Sequence, residues 1–146
     1  MVDLRINSDE KYVLDLVSHI LGENCEWQKR FDTLIGDIGK NGRRTKLPVD
    51  AYFPKSNLIV EYREKQHFEP VNIMDRRMTV SGVNRGEQRK IYDNRKENWA
   101  VDNNISFVGI KYIDLAHKNS GKLLRRVDDD RKIIARLIQG LVRVAP

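Results

Sequence analysis

Apolar residues recur three and four positions apart at Tyr12, Val13, Leu16, Val17, Ile20 and Leu21, behind Ser8, Asp9 and Glu10 and ahead of Gly22. That spacing predicts an amphipathic helix with a polar start and a glycine stop. A different rhythm follows. Leu58-Ile-Val60 is a short unbroken apolar run fenced by Pro54 and Asn57, which reads as a central strand buried on both faces. Leu47-Pro-Val49 and Ala51-Tyr-Phe53 form a strand before it, pairing antiparallel through the turn at Pro54 to Asn57. Glu26 to Asp32 is the expected first strand, and Gly36 to Lys46 a glycine-punctuated basic loop. Arg85 to Asn98 reads as a polar helix and Ile105 to Tyr112 as a closing strand. Asp128-Asp-Asp130 is expected to cap a last helix whose Ile133, Ile134, Leu137, Ile138, Leu141 and Val142 form one stripe that packs on the sheet. Phe68 to Asn84 has no clean period, apart from strand-like Met78-Thr-Val80. The expectation is one α/β domain over residues 1–146, with a mixed central sheet flanked by helices.

Two acids break this pattern. Asp50 interrupts the apolar run of its strand, and Glu61 extends the run Leu58-Ile-Val60. A buried, unpaired carboxylate is costly or becomes neutral, so it is retained where a cation or hydrogen-bond donors compensate it. Antiparallel pairing brings both acids to one face. Oxygen ligands with room for water and phosphate suit Mg²⁺, with Mn²⁺ as a substitute, so Asp50 and Glu61 are the candidate metal ligands and catalytic acids. The alternative is a pair of solvated strand ends or salt-bridge partners. Every second residue after Glu61 is charged or titratable: Arg63, Lys65 and His67. Arginine stays protonated and cannot act as a base, which leaves Lys65 or His67 to handle the proton of an attacking water. At ~3.3 Å per residue a straight strand carries His67 roughly 20 Å from Glu61, so the chain must turn for it to take part.

Leu-Pro-x-Asp-x-Tyr-x-Pro from Leu47, then Ile-x-Glu-Tyr-x-x-x-Gln-His-Phe from Ile59, resembles a small branch of the PD-(D/E)XK nucleases. That branch includes phage and intron-associated endonucleases and is similar to the very-short-patch repair endonucleases. The likeness continues through Asp93-x-x-Lys96-x-x-Trp99 and the strand from Ile105, and covers roughly residues 8 to 113. It implies a restriction-endonuclease-like core, Asp50 and Glu61 as metal ligands, and Gln66 and His67 in positions that contact water or phosphate. Members of the superfamily often add an acid from the first helix. Glu10 and Asp15 are the residues available, although the helix dipole explains Glu10 and a solvated face explains Asp15. One departure stands out: the branch prefers Asp-Gly where this chain has Arg63-Glu64, which removes a residue suited to a left-handed turn.

Charge agrees with a polyanionic partner. The 146 residues carry 27 Lys and Arg against 21 Asp and Glu, a net charge of +6 and an isoelectric point near 9.5. Arg43, Arg44 and Lys46 are candidate phosphate-backbone contacts, as are Arg85, Arg89 and Lys96, which share a stripe with Asp93; solvated faces are the alternative for both groups. Gly36 to Lys46 lacks the Gly-Lys-Ser/Thr ending of a nucleotide cradle. The single Cys25 cannot form an internal disulfide, and neither a signal peptide nor a transmembrane run is visible, so a cytoplasmic protein without membrane attachment is expected. His19 and His117 have no partner at ligand spacing, and no zinc cluster or catalytic serine triad stands out.

The reading is a Mg²⁺-dependent endonuclease acting on DNA, with RNA still open and a homodimer through the last helix as an option. Its rival is a catalytically silent nucleic-acid-binding module on the same scaffold, made credible by Arg63-Glu64. A protein-interaction domain using the last helix is a third possibility.

Overall fold

A computed structural model describes residues 8–65 and 85–141. The chain runs α1 (Asp9–Leu21), β1 (Glu26–Ile38), β2 (Arg44–Phe53), β3 (Leu58–Arg63), α2 (Arg85–Asp102), β4 (Ser106–Lys111), a short 3-10 turn (Tyr112–Asp114) and α3 (Val127–Gln139). The four strands lie in the order β1-β2-β3-β4, with β1 and β3 antiparallel to β2 and with β4 parallel to β3. This is the expected mixed α/β sheet flanked by helices. Ser8 caps α1 by accepting the Lys11 N–H at 3.0 Å, and Gly22 ends it with φ +66°.

Five consecutive buried residues, Leu58 to Tyr62, make β3 the heart of the sheet. Leu58, Val60 and Tyr62 join the core formed with Val13, Leu14 and Val17 of α1 and Ile134 and Ile138 of α3. Ile59 faces a second, smaller core with Leu34, Val49 and Ala100, flanked by Trp99 and Phe107. A strand with an apolar layer on each side cannot alternate with polar residues, which is why its sequence is continuously hydrophobic.

Helix α2 is docked differently. Among its described residues only Ala100, near its end, is fully buried. Polar pegs hold the rest on β1: the Tyr92 hydroxyl accepts the Asp37 N–H at 2.9 Å, and Arg95 donates to the Ile35 carbonyl at 3.1 Å and to Asp37 at 3.0 Å. Gly36 makes this approach feasible, because a Cβ there would lie 3.1 Å from the Tyr92 oxygen and 3.0 Å from Leu47 Cδ2.

Two expectations are corrected. The basic stretch from Gly36 is not a long loop: β1 continues to Ile38 and pairs with β2 at Ile35↔Lys46 and Ile38↔Arg44, which leaves a tight turn closed by Gly39 N–H donating to the Arg43 carbonyl. Exposed polar residues on this arm and irregular register erase the alternation from which a strand is read. The acidic triplet does not act as one cap either. Arg126 is the residue before α3, Asp128 and Asp129 are exposed in its first turn, and Asp130 turns inward, fully buried, to accept the Tyr12 hydroxyl at 2.5 Å. The expected stripe divides in the same way: Ile134 and Ile138 are buried, while Leu137 and Leu141 each remain 36% exposed. Met78 to Val80 and Val142 lie outside the described residues. No helix among the described residues is long and apolar enough to cross a membrane.

The Tyr12–Asp130 bond joins the first helix to the last, and the other Asp130 oxygen is enclosed without a hydrogen-bond partner among the described residues. Tyr12→Phe is therefore expected to destabilise the fold by about 1–3 kcal/mol, the usual cost of stranding a buried acceptor. Urea unfolding measures it, and a change below about 0.3 kcal/mol would show that the bond does not hold the two helices together.

Candidate active site

The antiparallel ladder between β2 and β3 runs Phe53↔Leu58, Tyr52↔Ile59, Ala51↔Val60 and then stops. Asp50 and Glu61 are the next pair in this register. Instead of backbone exchanging with backbone, the Asp50 N–H donates to Glu61 Oε2 at 2.9 Å, and the Tyr62 N–H donates to Asp50 Oδ2 at 2.8 Å. Each carboxylate thus takes a donor from the opposite strand. The distortion has a local origin. Gln28, flanked by the pairs Trp27↔Ala51 and Lys29↔Val49, lies opposite Asp50 and has φ +49°, which is uncommon for a residue with a side chain. Val49 and Ala51, although two apart, contribute to different cores, so β2 changes face at Asp50.

Both flanking layers reach this break. Lys96 of α2 donates to Glu61 Oε1 at 2.9 Å, with 15% and 5% of the two side chains exposed. From α1, Glu10 comes close enough to the Asp50 side chain for its charge to act on it. Burial, then the charge of Glu61, then that of Glu10 push the Asp50 carboxyl up to about 9, and the Tyr62 N–H offsets only part of this.

The structure brings Asp50 and Glu61 together through cross-strand hydrogen bonds, with Asp50 reached by Glu10 from α1 and Glu61 by Lys96 from α2. Glu10 belongs to the site rather than merely to the helix dipole; its place behind Ser8 and Asp9 was the available signal, but a first-turn acid has the same signature whether or not it reaches a sheet. Lys96, read as a phosphate contact, is bound to Glu61. Lys65 is corrected: its ammonium donates to the Asn119 carbonyl at 2.8 Å, and its stem lies against Gly121 in a cavity lined also by Asp9 and Glu64. The chain leaves β3 at Arg63, so Lys65 no longer follows the strand's alternation. Gln66 and His67 lie outside the described residues. Asp15 is on a solvated face and pairs with Lys11 at 2.6 Å. His19 is exposed, and His117 Nδ1 is 2.8 Å from the Leu115 carbonyl.

The basic candidates are spread out. Arg43 and Arg44 are exposed at the hairpin tip, and Lys46 is exposed and paired with Asp32 at 2.7 Å. Arg89 is half-buried on α2, one and two turns before Asp93 and Lys96, and Arg85 begins that helix.

Among the described residues, no group of three or more His, Cys, Asp or Glu side chains stands at metal-holding spacing. Asp50 and Glu61 are the residues that could hold Mg²⁺, which is commonly bound by one or two carboxylates and completes its shell with water and substrate phosphate. Asp50 provides the observation behind that fit: it is a desolvated carboxyl facing two acids, and a cation would relieve the repulsion.

The raised Asp50 carboxyl has a defined consequence for stability. The folded chain keeps a proton that the unfolded chain releases near the ordinary value of 3.8, so the Asp50 contribution erodes as pH rises from about 4 to about 9. Asp50→Asn removes this slope and keeps an acceptor for Tyr62. In metal-free urea titrations at pH 5, 7 and 9, the variant should gain on the wild type with increasing pH; a constant difference would contradict the assigned protonation. Comparison with protein-family models, curated proteins and solved structures found no match to this chain.

Proposed function

We propose that this chain is a Mg²⁺-dependent endonuclease hydrolysing phosphodiester bonds in DNA. The observation that carries the reading is the pair of acids in the broken ladder: Asp50 and Glu61 each accept a backbone N–H from the other's strand, Glu61 is buried against Lys96, and the half-buried Asp50 faces Glu61 and Glu10. Structural carboxylates are usually satisfied by arginine or lysine, whereas Asp50 faces further acids.

Asp50 and Glu61 would hold the ion, which when bound supplies an acidified water and a Lewis acid for the scissile phosphate. The backbone donors of Asp50 and Tyr62 keep both carboxylates aimed without side-chain freedom, so little reorganisation is needed. Glu10 places a further carboxyl group beside Asp50. Lys96 pairs with Glu61 and places an ammonium beside the site, where it can steady negative charge building on the phosphate. Arg43 and Arg44 suit backbone contacts further along the duplex: six residues of β2 put Arg44 about 20 Å from Asp50, or roughly six base-pair steps at 3.4 Å.

Supercoiled plasmid incubated with Mg²⁺ or Mn²⁺ tests this directly. Wild type should nick, whereas Asp50→Ala and Glu61→Ala should lose activity about 10²–10³-fold or more and Lys96→Met about 10²-fold. Binding without nicking in every protein would instead favour the silent nucleic-acid-binding module. Calorimetry gives an independent readout: at pH 7, Mg²⁺ should displace the Asp50 proton, so the apparent binding heat should depend on the ionisation enthalpy of the buffer. That dependence should vanish in Asp50→Asn.

A further inference from the structure

We propose that Arg63 is an oxyanion fork beside the acidic pair, presenting two donors to the oxygens of one phosphate group. Its assignment to a phosphate of nucleic acid rests on the nuclease reading; the fork itself does not.

Arg63 follows Glu61 by two positions on β3, so the two share a face about 7 Å apart. Its guanidinium lies 5.8 Å from the centre of the Phe107 ring and only 14% of the side chain is exposed. Nε and Nη2 are enclosed and have no hydrogen-bond partner among the described residues. These two atoms form the side-on edge of a guanidinium, whose parallel N–H groups match two oxygens of a phosphate or carboxylate. Arginine cannot discard its charge to escape this situation, and enclosed donors without acceptors are rare because they are costly.

The nearest acid does not fill the edge. Glu97 Oε2 is 3.6 Å from Nη2, which is within reach of ionic attraction and beyond a hydrogen bond. About half of the Glu97 side chain is exposed, so it can move aside without repacking the core. The seat beneath the fork is built from glycine. Gly109, the β4 partner of Glu61, leaves space that a Cβ would take, at 3.1 Å from Arg63 Cζ and 3.2 Å from Nε. A largely buried guanidinium set against Gly109, with a displaceable carboxylate 3.6 Å from Nη2 and a carboxylate pair nearby, is suited to receive the phosphate adjoining those acids once Glu97 moves aside.

The test is made on the full chain without metal, in EDTA, by following arginine Nε–H resonances during titration with inorganic phosphate at constant ionic strength. The Arg63 signal, identified by its loss in Arg63→Lys, should move saturably. Glu97→Gln should tighten phosphate binding about threefold by removing the competing anion from an exposed position. Arg63→Lys keeps the charge but loses the fork, and should weaken binding about tenfold; Gly109→Ala should weaken it in the same direction. An Arg63 resonance indifferent to phosphate, or a Glu97→Gln affinity equal to wild type, overturns the fork even if plasmid is nicked with Mg²⁺. A responsive resonance in a protein that never nicks supports the fork and counts against the nuclease reading alone.

Discussion

The site depends on an exchange of partners at the end of the β2–β3 ladder, where carboxylates take the place of backbone carbonyls as acceptors. Sheet hydrogen bonding is close to obligatory for buried strands, so a ladder ends either in solvent or in a substitute. Here the substitute is anionic. Asp50 binds the Tyr62 N–H and Glu61 binds the Asp50 N–H, which satisfies the backbone while crowding carboxyl groups together at the end of the ladder. Charge-assisted bonds of this type are stronger than the neutral ones they replace, yet they do not offset the mutual repulsion of neighbouring acids. The imbalance is visible in Asp50, which retains a proton far above the normal carboxyl range.

Around that break the two layers play unequal parts. Helix α1 adds a further acid through Glu10, whereas α2 adds a cation through Lys96. The next residue of α2, Glu97, faces Arg63, the next residue on the same face of β3, so consecutive helix positions of opposite charge meet alternate strand positions of opposite charge. Registration of α2 on the sheet comes from elsewhere, namely Tyr92 and Arg95 seated on β1 and the Trp99–Phe31 contact with ring centres 4.7 Å apart. A helix too polar to be placed by hydrophobic burial is placed by specific hydrogen bonds. Lys96 therefore reaches Glu61 from a rigid support, as an electrostatically preorganised site requires.

Much of the architecture was legible because apolar periodicity reports burial. The helix from Asp9 carries a helical period, and the strands around Pro54 to Asn57 and the closing strand are marked by short apolar runs bounded by turn residues, with the unbroken run Leu58 to Val60 marking burial on both faces. The long arm of β1 and the inward turn of Asp130 were not legible. A solvent-exposed hairpin imposes no alternation, and three adjacent aspartates look alike until packing selects the one that meets Tyr12.

The candidate site divides along the same line. By itself the sequence determined that Asp50 and Glu61 are acids in strands rich in apolar residues, because an ionisable group in a buried run needs compensation wherever the run folds. Tertiary structure decided what surrounds them: Glu10 and Lys96 lie 40 and 35 positions from their respective partners, and Lys65 turns to Asn119 although it is only four positions from Glu61. Periodicity fixes the face of a residue within its own element. Only the packing of one element on another brings charges from distant parts of the chain within a few ångströms.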